Sequence, residues 1–305
     1  MTPLPWADPE LTARGRLPMH AVPHDDRLVL DGDWRFQLLH RPTDPVGSAA
    51  SDWGTIAVPG CWTMQDTWDK PHYTNVRMPF PNRPPEVPAE NPTGVYEREF
   101  EVPGAWAHKR VVLHVGAAES VLIVALNGTD VGAGKDSHLA QEYDLTDLVR
   151  PGANTLRLTV VKWSDASFIE DQDQWWHGGI TRPVYLYATG ATYFADLQID
   201  AGLEADNATG TLELEVHVGW RPGHRVPGWR IEARLEGLGH VLTADVAAEP
   251  PPPGGPGDWV VPGPPRRGAL DLVSLAAANA LTDPDDVARW ELARPVVIPP
   301  RVGVA

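Results

Sequence analysis

Two segments of the chain carry more polar and aromatic side chains than a structural framework requires. The first includes PGCWTM (59–64) and PHYTNV (71–76), and the second includes KWSD (162–165) and FIEDQDQWWHGGI (168–180). Aromatic faces cover the apolar side of a sugar ring, while amides and carboxylates form hydrogen bonds with its hydroxyl groups. These segments therefore indicate a sugar site. The alternative is that the tryptophans are core residues and the acids are turn residues, and composition alone slightly favours that alternative.

The acidic part of the second segment also has the chemistry of a cation site. Glu170, Asp171 and Asp173 supply hard oxygen ligands, which suit a group 1 or group 2 cation. The calcium-loop pattern fails, because Trp175 stands where a third oxygen ligand is needed and no glycine follows. A cation site that takes one ligand from this loop and the others from elsewhere stays open.

Other kinds of site have little support in the sequence. The histidines lack paired zinc spacing, and the chain has neither a phosphate-binding glycine loop nor a G-x-S-x-G elbow. Cys61 is the only cysteine, so it has no internal disulfide partner, and its type favours a small buried apolar residue over a nucleophile. The 41 acidic residues do not single out a catalytic pair.

The elements that position these segments are predicted to be short strands. Residues 211–218 alternate between polar and apolar types without a break, as a half-buried strand does. The Asn127-Gly128 pair is a hairpin-turn signal. Residues 275–281 are alanine-rich and predict one or two helical turns. The other predicted strands are 111–115, 121–126, 155–162, 184–187, 194–199 and 229–235.

Composition supports an all-β chain of two β-sandwiches. Proline (32) and glycine (28) make up about a fifth of the 305 residues, which leaves little room for long helices. Small residues near 188–190 predict a boundary between a jelly-roll sandwich (1–190) and a smaller immunoglobulin-like sandwich (191–305). Within the second, residues 250–267 read as a proline- and glycine-rich surface insertion.

The charge balance and the N-terminus narrow the classes of partner. A net charge of −16 disfavours binding to nucleic acid or to an anionic membrane surface. The first residues lack the pattern of a signal peptide, and no apolar run approaches the ~18 residues of a membrane span. The expected location is therefore the cytoplasm.

A further set of motifs resembles a known family, the family 2 glycoside hydrolases, and within it the large multidomain β-galactosidases. The resemblance covers about residues 5–200 and weakens from 200 to 300. The motifs are LDGDWRF (30–36), VPGCW (58–62), YTNV (73–76), ENPTGVY (90–96), NG (127–128), VG (131–132), KDS (135–137), EYDL (142–145), WSD (163–165) and EDQDQW (170–175).

The resemblance implies a jelly roll followed by an immunoglobulin-like domain. In the family, a (β/α)8 barrel then carries two catalytic glutamates and a magnesium site. No barrel pattern is visible in these 305 residues, and the motifs expected near the end of the second sandwich are missing. We therefore expect a non-catalytic N-terminal part of a retaining β-galactosidase, with no catalytic residue of its own and no activity alone.

Two site residues follow from the resemblance. Asn75 matches an asparagine that bonds sugar hydroxyls in the galactoside pocket, and Asp173 matches an aspartate that contacts the galactose O6 hydroxyl and ligates sodium. His177 matches no family role and is interpreted as part of the loop structure. The expected partners are galactosides, the catalytic part of the enzyme and, when complete, further copies of it.

Two other functions remain possible at the level of the sequence. A stand-alone carbohydrate-binding module has the same jelly-roll fold, so that fold alone does not separate it from an enzyme part. The discriminating observation is whether the gene encodes a barrel with two glutamate motifs downstream of codon 305. A structural or adhesion sandwich is disfavoured, because it leaves Asn75 and the acidic tryptophan-rich loop unexplained.

Overall fold

In the computed structural model of the chain, the regular secondary structure is almost entirely β-strand. The structure describes residues 4–75, 77–203, 209–224, 229–235, 241–245, 279–280 and 292–298. These residues cluster into two compact units: residues 4–19 with 24–189, and residues 20–23 with the described residues from 190 onward. Within the described ranges, the helical segments are four short 3-10 turns: Ala50–Asp52, Trp62–Met64, Gly104–Trp106 and Asp165–Phe168.

The first unit contains sixteen strands among its described residues. They are β1 (Ala13–Arg14), β2 (Arg27–Val29), β3 (Gly32–Leu39), β4 (Gly54–Val58), β5 (Gly60–Cys61), β6 (His72–Tyr73), β7 (Thr93–Glu101), β8 (Arg110–Val115), β9 (Ala118–Glu119), β10 (Val121–Leu126), β11 (Thr129–Lys135), β12 (Gln141–Asp144), β13 (Ala153–Val161), β14 (Trp175–Trp176), β15 (Gly179–Ile180) and β16 (Val184–Thr189).

Two antiparallel sheets enclose the core of this unit. The larger has the order β1-β11-β10-β13-β7-β3-β4, and the smaller has the order β12-β8-β16-β2. Trp34 and Leu158 from the larger sheet share one buried cluster with Leu113 and Leu186 from the smaller sheet. Burying apolar surface between two sheets is the main stabilising contribution in such a sandwich. The prediction of an all-β sandwich fold is confirmed.

The second unit contains two three-stranded sheets among its described residues. Their orders are β17-β18-β21 and β20-β19-β22. Leu197, Val216 and Ile231 form a buried cluster in this unit. The immunoglobulin-like class of this unit stays a prediction. The strands are β17 (Thr192–Leu203), β18 (Thr209–Trp220), β19 (Arg230–Leu235), β20 (Val241–Asp245), β21 (Asn279–Ala280) and β22 (Leu292–Ile298).

Every strand predicted from alternation is present, with small shifts at the ends. Asn127 and Gly128 have φ values of 53° and 79° and join β10 to β11, as the hairpin prediction requires. For residues 275–281, the helical prediction is wrong where it can be compared, because Asn279 and Ala280 form β21. The predicted insertion at 250–267 lies outside the described residues. No helix in the described part of the chain is long and apolar enough to cross a bilayer.

Candidate functional site

A two-stranded ribbon brings the two polar, aromatic segments together. β6 pairs antiparallel with β14, so that Tyr73 lies opposite Trp175 and His72 opposite Trp176. The rings of Tyr73 and Trp175 are 5.6 Å apart between centroids, and the Trp176 indole N–H donates to the Thr74 hydroxyl at 2.9 Å. Segments about 100 residues apart in the chain therefore form one local surface.

Asn75 and Asp173 lie beside Tyr73 on this surface. The Tyr73 hydroxyl donates to Asp173 Oδ1 at 2.5 Å. This bond raises the pKa of Tyr73, and the nearby Asn75 side chain opposes the shift. Both residues are exposed. The structure therefore places both predicted site residues next to Tyr73, while their roles toward sugar and sodium stay predictions.

Two polar contacts anchor the acidic loop that carries Asp173. Lys135 Nζ lies 2.5 Å from Asp165 Oδ1 at the start of the loop. Glu170 accepts two hydrogen bonds from Ser137, one from its backbone N–H at 2.9 Å and one from its hydroxyl at 2.5 Å. Glu170 is thus occupied in holding the loop. This reduces the set of oxygen ligands that the sequence suggested for a cation.

The role of Asp173 as a sodium ligand stays a prediction. Among the described residues, no group of three His, Cys, Asp or Glu side chains is arranged to hold a metal. In the same part of the chain, Asp173 Oδ2 accepts no hydrogen bond, and the side chain is exposed. An open carboxylate oxygen fits a hard cation such as sodium, whose other ligands would have to come from outside the described residues. The described residues also contain no group of three His, Cys, Asp or Glu side chains that could hold magnesium. The family resemblance places the magnesium site in the barrel, outside these 305 residues.

An aromatic cluster lies beside the two segments, and sequence reasoning missed part of it. Trp163 packs edge-on against Trp176 (5.3 Å) and Phe80 (5.2 Å), and Phe80 contacts Phe168 (5.6 Å). Residues 77–84 and Phe168 line an open groove of about 550 Å³. Nothing in the pattern of residues 77–84 marked them as a site, since prolines and arginines there are typical of a loop.

A buried ion pair supports the segment that precedes β6. Lys162 Nζ contacts both carboxylate oxygens of Asp69, at 3.0 and 2.8 Å, and the Trp62 indole N–H donates to the same carboxylate at 2.8 Å. Burial lowers the pKa of Lys162, and Asp69 opposes that shift. This pair joins the end of β13 to the segment 62–70, which leads into β6.

His177 has the structural role that the sequence suggested. Its ring Nδ1 is 3.1 Å from the Thr63 hydroxyl, and its backbone N–H donates to Glu119 Oε1 at 3.3 Å. Burial raises the pKa of Glu119, while the His177 N–H and the charge of Lys162 oppose the shift. His177 is therefore held by neighbouring segments of the same unit.

A family comparison agrees with the motifs. Residues 28–190 match the profile described as "Glycosyl hydrolases family 2, sugar binding domain". The chain is 43% identical over 186 residues to a β-galactosidase of Arthrobacter sp. (strain B7), covering 53% of this chain and 18% of that enzyme. It is 36% identical over 230 residues to a β-galactosidase of Psychromonas ingrahamii, covering 68% of this chain and 22% of that enzyme. The chain thus spans about a fifth of the length of these curated relatives.

Solved structures with the same fold include two β-glucuronidases. The Bifidobacterium dentium enzyme, solved with coumarin-3-O-glucuronide, aligns over 74% of this chain and 41% of its own, with a TM-score of 0.53 and 23% identity. The Bacteroides uniformis enzyme aligns over 89% of this chain and 28% of its own, with a TM-score of 0.57 and 18% identity. At these identities the likeness shows the fold alone.

Proposed function

The chain belongs to glycosyl hydrolase family 2, and from this membership we propose that it is the non-catalytic N-terminal part of a retaining β-galactosidase. Its role is to form one wall of the galactoside pocket and to help assemble the enzyme. The observation that carries the proposal is the hydrogen bond between the Tyr73 hydroxyl and Asp173, which brings Asp173 to the strand that leads to Asn75, beside two exposed aromatic rings.

The residue types at this surface suit a sugar. The amide of Asn75 can donate and accept hydrogen bonds, and the carboxylate of Asp173 accepts them or ligates sodium. Tyr73 and Trp175 are about half exposed, at 49% and 54%, so their rings are accessible beside these polar groups. Because the surface is open rather than enclosed, it provides one side of a pocket and needs a second part to close it.

The chemical step belongs to that second part. In a retaining glycosidase, two carboxyl groups about 5–5.5 Å apart act as nucleophile and acid/base in a double displacement. The expected barrel would supply both carboxylates and the magnesium site. This chain would contribute a galactose contact and one sodium ligand. The complete enzyme is proposed to be a cytoplasmic homo-oligomer.

A stand-alone carbohydrate-binding module is the second candidate. The observation in its favour is the exposed pair of Tyr73 and Trp175, since such modules bind sugars on accessible aromatic rings. A barrel encoded downstream of codon 305 supports the enzyme, and its absence from the gene supports the module.

The proposal is tested by hydrolysis of a chromogenic galactoside by the complete enzyme. We expect Asp173→Ala to lower kcat/KM by about one to two decades, because a hydrogen bond involving a charged group contributes about 1.5–3 kcal/mol. Asn75→Ala should lower it by up to about tenfold, because a hydrogen bond of a neutral amide contributes about 0.5–1.5 kcal/mol. Each should change the free energy of unfolding by no more than about 1 kcal/mol, since both side chains are exposed. Added sodium should rescue Asp173→Ala only in part.

Asp171→Ala is the matched control for the Asp173 variant. Asp171 is also exposed and lies two residues away in the same loop. It should leave kcat/KM within twofold of the wild type. If Asp173→Ala behaves in the same way, or if activity falls only as far as folded protein is lost, the assignment of the site is wrong. Calorimetric titration of the 305-residue chain with galactose, lactose and glucose then measures binding without the catalytic part.

A further inference from the structure

The hydroxyl of Tyr73 donates a hydrogen bond to Asp173, one of the two predicted sugar ligands. We propose that Tyr73 is a positioning residue, which holds the Asp173 carboxylate in the orientation that binds the galactoside. The inference rests on the proposed function. It adds to that function a further residue, one that acts through Asp173 rather than on the sugar.

The hydrogen-bonding capacity of the two groups explains how the orientation is set. The tyrosine hydroxyl has a single proton, which it donates to Asp173 Oδ1 at 2.5 Å, in the range of a strong bond to a carboxylate. This bond engages one oxygen of the carboxylate and leaves Oδ2 of Asp173 as an open acceptor.

The position of the hydroxyl is in turn set by the main chain. Tyr73 belongs to β6, which pairs with β14, and its ring packs against that of Trp175. By contrast, Asp173 is an exposed loop residue, and among the residues that the structure describes its side chain forms a hydrogen bond only with Tyr73. Without the hydroxyl, the carboxylate would rotate between staggered conformations, and binding a sugar would then cost the entropy of ordering it.

The open oxygen defines what the arrangement recognises. It is an acceptor, so it suits a hydroxyl group of a neutral sugar or a sodium ion. By prepositioning this acceptor, Tyr73 lowers the free-energy cost of binding without itself contacting the substrate.

The first part of the test measures the orientation directly. Tyr73→Phe removes one oxygen and keeps the ring against Trp175. In NMR spectra of the 305-residue chain, we expect this variant to average the Hα–Hβ couplings of Asp173. Tyr185→Phe is the matched control, because Tyr185 lies on β16 and stacks on His114; it should leave these couplings unchanged. If Tyr73→Phe also leaves them unchanged, the proposal is overturned.

The second part uses galactoside hydrolysis by the complete enzyme. Tyr73→Phe should lower kcat/KM about tenfold, while the double variant with Asp173→Ala should be no slower than Asp173→Ala alone, since Tyr73 acts through that carboxylate. If the two effects multiply, Tyr73 does not act through Asp173 and the proposal is wrong. If Asp173→Ala slows hydrolysis and Tyr73→Phe does not, the role of Tyr73 alone is wrong. If neither variant changes hydrolysis, the proposed function is wrong and the role of Tyr73 falls with it.

Discussion

At the scale of single residues, Lys162 and Asp69 form a buried ion pair in the first unit, and each charge depends on the other for its stability. The Lys162 side chain has no exposed surface, and that of Asp69 is only 5% exposed. A buried charge is tolerated only when it is paired and hydrogen-bonded. Asp69 meets this condition, because it accepts bonds from both Lys162 and the Trp62 indole. Removing either partner leaves the other charge unpaired in the protein interior.

We therefore predict that Asp69→Ala lowers the free energy of unfolding by about 3–5 kcal/mol. Replacing both members, as in Lys162→Met with Asp69→Leu, should restore most of the loss, because no unpaired charge remains. Urea unfolding measures both. Lys70→Met is the control, since Lys70 is exposed and should stay within about 0.5 kcal/mol of the wild type. A loss below 1 kcal/mol for Asp69→Ala would contradict the prediction.

Cys61 allows a second prediction, on the dependence of stability on pH. Burial, assisted by the nearby charge of Glu119, raises the pKa of the Cys61 thiol from 9.0 to about 11. The unfolded chain then loses the thiol proton at lower pH than the folded chain, so stability falls as the pH rises from about 9 to 11. Because the side chain is only partly buried, we expect a loss of about 1 kcal/mol.

The measurement compares the wild type with Cys61→Ala in urea at pH 7.5 and pH 10.5. Subtracting the free energy of unfolding of the variant from that of the wild type cancels the contribution of the buried tyrosines Tyr143 and Tyr187, whose pKa values burial also raises. This difference in the free energy of unfolding should be about 1 kcal/mol smaller at the higher pH. If this difference does not change with pH, the thiol has the same pKa in the folded and the unfolded chain, and the prediction is wrong.

At the scale of elements, two glycines allow β14 and β15 to pass close to the core. A Cβ atom on Gly178 would lie 2.3 Å from Cζ2 of the buried Trp62 ring. Gly179 has a φ of +142°, and a Cβ there would lie 2.5 Å from the backbone oxygen of Gly60. Only glycine fits both the contact and the backbone conformation. This fit lets β15 pair with β5 on one side and β9 on the other.

Gly178→Ala should therefore lower the free energy of unfolding by about 1–3 kcal/mol, because the indole of Trp62 has to move to admit the methyl group. Gly104→Ala is the control, since a Cβ there meets no atom within 4 Å. Thermal and urea unfolding compare the two variants. If the two variants have equal free energies of unfolding, the Trp62 ring moves at no cost in free energy and the prediction is wrong.

The elements also show which strands local pattern misses. β13 alternates clearly in burial and was predicted, whereas the neighbouring β7 was not. The first five residues of β7 are all buried, so the strand has no polar face to produce an alternating pattern. β11 was missed for another reason: its glycines lower β-propensity, and Gly132 is needed because a Cβ there would meet Tyr143.

At the scale of the whole molecule, the core of the first unit is complete within that unit. Its main cluster of buried residues extends from Leu30 to Leu186 and draws on both sheets. Strand β13 lies between β10 and β7 in one sheet, and β16 lies between β8 and β2 in the other. Both central strands therefore come from the last forty residues or so of the unit.

We predict from this that residues 1–190 fold on their own, with a single cooperative transition in urea and a β-type circular-dichroism spectrum. A shorter fragment, residues 1–150, lacks β13 and β16 and should show no cooperative transition, because each sheet loses an interior strand. Cooperative unfolding of the shorter fragment, or none in the longer one, would contradict the prediction. The two fragments are compared under identical conditions.

The sequence by itself determined the all-β class, the hairpin at Asn127 and Gly128, and seven of the strands, namely β8, β10, β13, β16, β17, β18 and β19. Each of these depends on neighbouring residues, whose periodicity or turn preference is readable in the chain. Asn75 and Asp173 could be named from motif resemblance, which likewise compares short stretches of sequence.

The tertiary structure alone decided that Asp173 meets Tyr73, two residues before Asn75. Tyr73 and Asp173 are 100 positions apart, and Lys162 and Asp69 are 93 apart. Such contacts depend on the pairing of β6 with β14 and on the order of strands in the sheets, neither of which local pattern specifies. The physical reason is that strand register is selected by burial of the whole core, to which every strand contributes at once.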